Sequence, residues 1–236
     1  MIRVFPFGLL LLLLSETAAQ TNTTPSSQID SLYALYGQNK SLPKGFEAQA
    51  LIALSHYPQL KTARICFKVK PAKLPYASKP AFLSLLCFWG PKKYNIIISN
   101  RSTALLAPTL LKNLSFEAQV GALGHELAHT AYYQETGRFK MTMVGIRYGS
   151  NAFKEKFEKM TDRIALAHGL GAYLLEWNRA VYPIKQQDGK RAKIYYSPEE
   201  LSKLIDNQQT NKLTNQQINK LYPSWKSSNT KQYRKN

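Results

Sequence analysis

The sequence has few residues of the kinds that bind soft metals or cross-link secreted proteins. Its 236 residues include 4 His and 2 Cys, and no Cys-x-x-Cys pair occurs. A zinc site built from cysteine pairs is therefore excluded. Cys66 and Cys87 both lie in apolar segments. Two interpretations of them stay open: one disulfide in an oxidising compartment, or two buried thiols.

Acidic residues are also scarce. The chain has 14 Asp and Glu against 32 Lys and Arg, which gives a net charge of +18. Such a surface attracts anionic partners such as a cell-envelope surface, and a merely solvated basic protein is the alternative. No nucleic-acid-binding module is recognisable, so we expect no nucleic-acid partner. A hydrophobic content of 44% indicates a folded protein with a substantial core.

Long apolar runs are absent except at the N-terminus. There Arg3 precedes an apolar stretch that ends in the leucines Leu9 to Leu14, and small residues follow up to Ala19. This order predicts a signal peptide over residues 1–19, cleaved before Gln20. The stretch is about half of the ~20 residues that a membrane-spanning helix needs, and an uncleaved anchor is the alternative. We expect a secreted or periplasmic protein without a transmembrane span in its mature form.

The rest of the chain divides by composition. Residues 20–184 carry most of the apolar pattern and have the length of one domain. Residues 185–236 are rich in Lys, Gln and Asn, and Ser197-Pro198-Glu199-Glu200 is a capping box that predicts one short helix. Two interpretations of this basic extension remain: it holds the protein on an anionic envelope, or it packs short helices on the domain.

Periodicity predicts a small sheet before a helical half, and so a predominantly helical α+β fold. Short helices are expected over residues 29–36 and 45–57, and strands over 63–69 and 94–99. Residues 82–89 are apolar throughout and fit either element. In the helical half we expect a helix over 116–135 capped by Ser115, a connection over 137–150, and a second helix from Ala152 to Tyr182 that ends at Pro183.

The chemistry lies in the run His125-Glu126-Leu127-Ala128-His129. Histidines four residues apart share one face of a helix, so both rings can reach one metal ion. Glu126 lies beside them, where a carboxylate can act as general base toward water that the metal activates. The pattern predicts a catalytic zinc site, and a surface helix with two hydrogen-bonded histidines is the alternative.

Two histidines leave a third protein ligand to be found. Glu158 and Asp162 are four residues apart on the next predicted helix, and apolar residues follow Asp162. We expect Glu158 to bind the metal and Asp162 to accept the second ring N–H of a histidine, which fixes its tautomer. The two roles can also be exchanged, and a solvated charged face is the other interpretation.

These residues resemble the gluzincin pattern of zinc metallopeptidases. The spacing of Glu158, Asp162 and Ala165 is similar to that of CAAX-prenyl-protease-like peptidases, and the surrounding sequence resembles small secreted bacterial zincin-like proteins. The resemblance covers residues 94–178. It implies a zincin-like fold and a peptide or protein substrate, whose backbone binds an edge strand for which residues 94–99 are the candidate. The CAAX-type enzymes are multi-spanning membrane proteins, unlike the protein expected here. The resemblance therefore does not imply a membrane-embedded substrate.

Transition-state stabilisation has weaker candidates. His168 follows Asp162 by six residues. It can stabilise the oxyanion of a tetrahedral intermediate, or it can be a histidine that packs in the core. Tyr132, Tyr133 and Tyr148 suit the same role, and the sequence does not choose among them. A non-catalytic zincin-like protein that binds zinc and an envelope component or a protein partner is the alternative function. An intact Glu126 favours the enzyme, because a structural site needs no base.

Overall fold

A computed structural model describes residues 26–81, 91–187 and 192–211. It contains a four-stranded sheet and a larger set of helices, which makes it a predominantly helical α+β protein. The strands are β1 (Lys40–Ser41), β2 (Arg64–Lys70), β3 (Tyr76–Pro80) and β4 (Lys93–Ser99). The helices are α1 (Ser26–Tyr36), α2 (Glu47–Ser55), α3 (Phe116–Glu135), α4 (Arg138–Arg147), α5 (Asn151–Ala167), α6 (Gly171–Gln187) and α7 (Pro198–Asn211).

Some predicted features lie outside the described residues. They are the signal peptide, the apolar segment 82–89 with Cys87, and the chain beyond residue 211. Cys66 lies half-buried in β2. None of the described helices is both long and apolar enough to cross a bilayer.

The sheet has the order β1-β2-β4-β3, in which β3 alone is antiparallel to its neighbour. The two predicted strands are confirmed as β2 and β4. However, β4 pairs on both sides and is not the edge strand that we expected residues 94–99 to form. Its isoleucines are buried on both faces, as in strands that are covered by helices. The edge next to β4 is β3, whose Pro80 is tolerated there because edge strands need fewer N–H donors.

Helix α3 forms the centre of the molecule. Its bounds match the prediction, and the Ser115 hydroxyl accepts from the Ala118 N–H at 3.2 Å as the expected cap. The structure buries every residue from Ala118 to Ala131. Helix α2, strand β3 and helices α5 and α6 pack around it. A helix covered on all sides can hold polar groups away from bulk water, which is the environment that a metal centre needs.

Two glycines of α3 allow α6 to approach closely. A Cβ atom at Gly121 would lie 2.0 Å from the Tyr173 carbonyl oxygen, and one at Gly124 would lie 2.8 Å from Leu170 Cδ1. Glycine in a helix interior costs about 1 kcal/mol relative to Ala, and the close approach of the neighbouring chain segment accounts for both of these glycines. The neighbour of Gly121 is backbone, which cannot rotate away as a side chain can.

Gly121→Ala is expected to destabilise the fold by about 2–3 kcal/mol, because the added methyl forces α6 away from α3. Gly145→Ala is the matched control, since Gly145 lies inside α4 with nothing within 4 Å of an added Cβ. There we expect unchanged or slightly increased stability, by up to about 1 kcal/mol from helix propensity. Denaturant unfolding followed by circular dichroism measures both. Equal stability of Gly121→Ala and the parent protein would contradict the packing described.

The helical half differs from the prediction in two places. Residues 137–150 were expected to be a connection, but α4 occupies most of them, because Gly137 and Gly149 lie outside the helix and Met141 and Val144 are buried against the core. The long helix over 152–182 is instead two helices. Gly169 separates them with φ +80°, a backbone conformation that ends α5, while Pro183 is accommodated inside α6.

The start of the basic extension packs on the core. Helix α6 continues to Gln187, past the predicted boundary between residues 184 and 185. Tyr196 and Leu201 are buried, and the Tyr196 carbonyl accepts from the Asn178 side chain at 3.0 Å. The Ser197–Glu200 capping box is confirmed at the start of α7: Glu200 accepts from the Ser197 N–H at 2.8 Å. At least this part of the extension is therefore part of the folded domain.

Candidate metal centre

Helices α3 and α5 face each other across the polar cluster. Helix α3 carries His125, Glu126 and His129, and α5 carries Glu158 and Asp162. All five residues are buried, with 6% or less of each exposed. Burial of so many ionisable groups is very costly unless they bond one another or bind a metal ion. Their positions therefore follow from mutual contacts rather than from a solvated charged face, which was the alternative for Glu158 and Asp162.

Three ligand atoms converge between the helices. Glu158 Oε2 lies 3.0 Å from His125 Nε2 and 3.4 Å from His129 Nε2. One ligand atom from each of these residues lies within 4.8 Å of the others, close enough to hold one metal ion. The structure thus brings together the two histidines and the Glu158 carboxylate.

The other ring nitrogens are held by α5. Asp162 Oδ1 lies 2.8 Å from His125 Nδ1, and Thr161 Oγ1 lies 3.1 Å from His129 Nδ1. The Thr161 hydroxyl donates its own proton to the Phe157 carbonyl at 2.8 Å, so it accepts from His129. Both Nδ1 atoms thus carry a proton, and both Nε2 atoms are left to face the carboxylate. The sequence analysis missed Thr161; its position one residue before Asp162 on the same helix was the available signal.

The cluster needs a cation at its centre. Two ring nitrogens and a carboxylate oxygen are all electron-pair donors, and they repel one another unless a proton or a metal ion lies between them. When no metal is bound, a proton on His125 supplies the positive charge. Burial alone lowers the pKa of His125, but hydrogen bonds to Asp162 and Glu158 outweigh burial and raise this pKa to about 10. Burial acts to raise the pKa of Glu158, yet the neighbouring His129 and His125 hold it well below its usual range. Two imidazoles and one carboxylate form a donor set that fits zinc.

Glu126 differs from the other carboxylates of the cluster because only one of its two oxygens has a hydrogen-bond partner among the described residues. Its Oε2 is buried and has no hydrogen-bond partner in the described part of the chain. The Ser78 backbone bonds the carboxylate, and this contact falls on the other oxygen. Burial raises the pKa of Glu126, although His129 and His125 oppose the effect. The result is a fixed carboxylate with one open oxygen and an increased affinity for a proton.

Strand β3 lies beside this carboxylate. The Ala81 N–H bonds the Lys93 carbonyl and the Ser99 N–H bonds the Pro75 carbonyl, each at 2.8 Å. Because bonded pairs alternate in antiparallel strands, the backbone groups of Tyr76 and Ser78 point away from β4. The Ser78 hydroxyl and Thr130 Oγ1 of α3 lie 2.9 Å apart, and this hydrogen bond fixes β3 against α3. Strand β3, which is the outer strand of the sheet among the described residues, is thereby held next to the cluster.

Tyrosines complete the surroundings. The Tyr148 hydroxyl, just after α4, donates to Glu158 Oε1 and thereby holds the oxygen that does not face the histidines. Tyr133 stacks on His129, while Tyr132 contacts the Phe157 ring. The sequence analysis missed Tyr195, because it lies in the polar extension. Its ring centroid is 6.3 Å from that of His125, and burial and the charge of Glu158 raise its pKa well above the ordinary value.

His168 has the contacts of a packing histidine. It caps the C-terminus of α5, its ring centroid lies 4.7 Å from that of Tyr57, and its Nε2 lies 3.1 Å from the Gln59 side chain. Burial lowers the pKa of His168 to about 4. Its backbone carbonyl is 2.8 Å from Nδ1 of His56, which is half-buried. The cluster of possible metal ligands among the described residues contains neither histidine.

The described residues therefore form a buried cluster that could hold a metal ion, with a neighbouring carboxylate and an adjacent sheet edge. No protein family, curated protein or solved structure matches the chain.

Proposed function

We propose that this protein is a secreted or periplasmic zinc-dependent peptidase of the gluzincin type. The observation that carries the proposal is the pairing of three convergent ligand atoms with a carboxylate oxygen that is buried and without a partner in the described chain. Leaving such an oxygen unpaired costs about 1–3 kcal/mol or more, and a site that only binds metal gains nothing from it. A catalytic base must keep one oxygen open for its substrate.

The ligands would be His125, His129 and Glu158, and Asp162 would orient His125. When bound, zinc supplies a Lewis acid that polarises a peptide carbonyl and lowers the pKa of water to near 7. Three protein ligands leave a fourth position open, as catalytic zinc sites do.

Glu126 would perform the proton transfers. Its Oε2 takes the proton of the attacking water and then delivers it to the departing amine nitrogen. The raised pKa suits both steps, because a more basic carboxylate accepts the proton readily and still releases it to an amine. The Ser78 backbone contact keeps the other carboxylate oxygen in place, so the base does not have to be oriented during the reaction.

The edge of β3 would orient the substrate. The Tyr76 backbone groups and the Ser78 carbonyl point away from β4 and can pair with an extended peptide, while the Ser78 N–H stays with Glu126. Thr130 and Glu126 lie on α3 with the two histidines and hold this edge through Ser78. An extended, unfolded peptide segment is therefore the favoured substrate, rather than a peptide bond inside a folded domain.

Removing the metal tests the proposal. A protein comprising residues 20–236 is expected to lose hydrolysis of a mixed peptide library after a chelator has removed its metal and the chelator itself has been removed. One equivalent of zinc is expected to restore the hydrolysis. Mass spectrometry of the library and elemental analysis of the protein measure the two quantities. Cleavage that persists in metal-free protein would contradict the proposal. Stoichiometric zinc without any cleavage would favour a zincin-like protein that binds metal and a partner without turnover.

A further inference from the structure

Helix α4 exposes an apolar face. Phe139, Ile146 and Met143 are 79%, 68% and 38% exposed. They share one side of the helix, because residues at three- and four-residue steps line up. The opposite side carries Met141 and Val144, which are buried in the core. The helix is thus apolar on two faces, and the described structure accounts for only one of them.

Positive charge borders this exposed face. Helix α4 contains Arg138, Lys140 and Arg147 and no acidic residue. Lys140, Arg147 and Lys156 also line a cavity of about 430 Å³ between α4 and α5, and none of its lining residues is acidic. The Arg147 guanidinium lies 5.3 Å from the centroid of the Phe153 ring, which holds this cation at the wall of the cavity.

We propose that α4 and the adjoining cavity dock the protein on an anionic phospholipid bilayer. An exposed aromatic and aliphatic stripe bordered by Lys and Arg is the pattern of helices that lie in the plane of a membrane interface. The apolar side chains enter the boundary of the acyl region, and the cations stay at the level of the phosphates. Lys140, Arg147 and Lys156 surround a space that receives a lipid phosphate.

Charge argues against a second copy of the chain as the partner. Two α4 faces packed together would bring Arg147 and Lys140 of both copies into one interface, and the protein as a whole has a net charge of +18. An anionic surface neutralises these cations. The bilayer also explains why apolar and cationic residues occur side by side, since an acidic protein surface would leave Phe139 and Ile146 without a matching partner.

Docking through α4 would bring the metal centre to the membrane surface. Only Thr136 and Gly137 separate α4 from the helix that carries the histidines. At the other end, Tyr148 follows α4 directly and donates to Glu158. The inference does not depend on peptidase activity, because membrane binding can be measured on protein with or without turnover.

Vesicle sedimentation tests the inference. Residues 20–236 retain every described residue but lack the apolar N-terminal run, which would itself bind lipid. We expect this protein to sediment with vesicles of equal parts phosphatidylglycerol and phosphatidylcholine, and only weakly with phosphatidylcholine alone. Phe139→Ser with Ile146→Ser should weaken binding at least about tenfold, because apolar burial is lost. Lys140→Glu with Arg147→Glu should weaken vesicle binding about 30-fold or more, because the loss of each cation alone weakens it about fivefold.

Matched controls separate this face from general hydrophobicity and charge. Tyr33 and Leu35 of α1 are 59% and 48% exposed, and that helix has no Lys or Arg, so changing both to Ser should leave binding unchanged. Lys68→Glu with Lys70→Glu alters the net charge equally on the exposed side of β2 and should have a much smaller effect. Circular dichroism and zinc content verify that each variant is folded.

Three outcomes would overturn the inference. Equal losses in the α4 variants and in their controls would show that the face has no special role. Equal binding to neutral and anionic vesicles would remove the part played by the cations. Self-association that disappears in Phe139→Ser with Ile146→Ser, without any lipid binding by the parent protein, would identify a second copy as the occupant.

Discussion

Replacing Glu126 with Gln is expected to lower peptide hydrolysis by about 10³-fold or more, while the zinc content stays at the parent level. The amide keeps the size of the side chain and an oxygen for the Ser78 contact, but it cannot take a proton from water. Three other residues would hold the metal, so metal binding has no reason to fall. Cleavage of a peptide library followed by mass spectrometry, together with elemental analysis, measures both quantities.

The control for this variant is Glu135→Gln at the C-terminal end of the same helix. Burial raises the pKa of Glu135, although the charge of the neighbouring Lys92 opposes this effect, and Glu135 is not among the metal-binding candidates. Its replacement should leave hydrolysis within about twofold, because Glu135 lies at the end of the helix and is not a candidate ligand. A Glu126→Gln variant that still cleaves at the parent rate would assign the base elsewhere. Loss of zinc from this variant would mean that Glu126 is a ligand rather than a base.

Glu158→Ala is expected to abolish stoichiometric zinc binding, whereas Asp162→Asn should weaken it by about 10- to 100-fold. Glu158 supplies an oxygen that lies near both ring nitrogens, so its loss removes one of three protein ligands. Asp162 contacts His125 at Nδ1, and its loss only releases the orientation of that ring. Thr161→Val should resemble Asp162→Asn, because the Thr161 hydroxyl holds His129 in the same way.

Isothermal titration with zinc measures these affinities, and Glu155→Ala is the matched control on the same helix. Glu155 pairs with Lys159 at 2.8 Å near the surface and should not affect the metal. Thermal unfolding of the metal-free proteins shows whether each variant is folded before its affinity is compared. The reverse order, with zinc lost on changing Asp162 and merely weakened on changing Glu158, would exchange the roles of the two carboxylates.

The sequence was sufficient where a signal is local. The Ser115 cap and the glycine at position 137 predicted the bounds of the central helix, because the signals that begin and end a helix act within a few positions. The β-branched run of β4 was equally clear. Glu158 and Asp162 were also found in advance, since two carboxylates one turn apart beside an apolar run are uncommon in a chain with so few acidic residues.

Local sequence patterns failed to predict features that depend on contacts between residues far apart in the chain. The edge strand is β3 and not β4, because strand order depends on which segments pair, and neither Lys79 nor Pro80 indicates a strand. The glycine-containing stretch before Tyr148 looked like a connection, yet burial of Met141 and Val144 against the core stabilises α4. Conversely, one long helix was expected where Gly169 ends α5, since a glycine alone does not reveal its positive φ.

For this protein, the sequence by itself determined the identity of the polar groups: two histidines and a glutamate on one helix, and two carboxylates on another. The tertiary structure decided what each group faces. It turned Asp162 and Thr161 to the Nδ1 atoms, Glu158 to the Nε2 atoms, and the Ser78 backbone to Glu126. It also added Tyr148 and Tyr195 and left the apolar side of α4 exposed. The reason is physical: helical spacing fixes which side chains share a face, whereas only packing between elements fixes the distance and direction between faces.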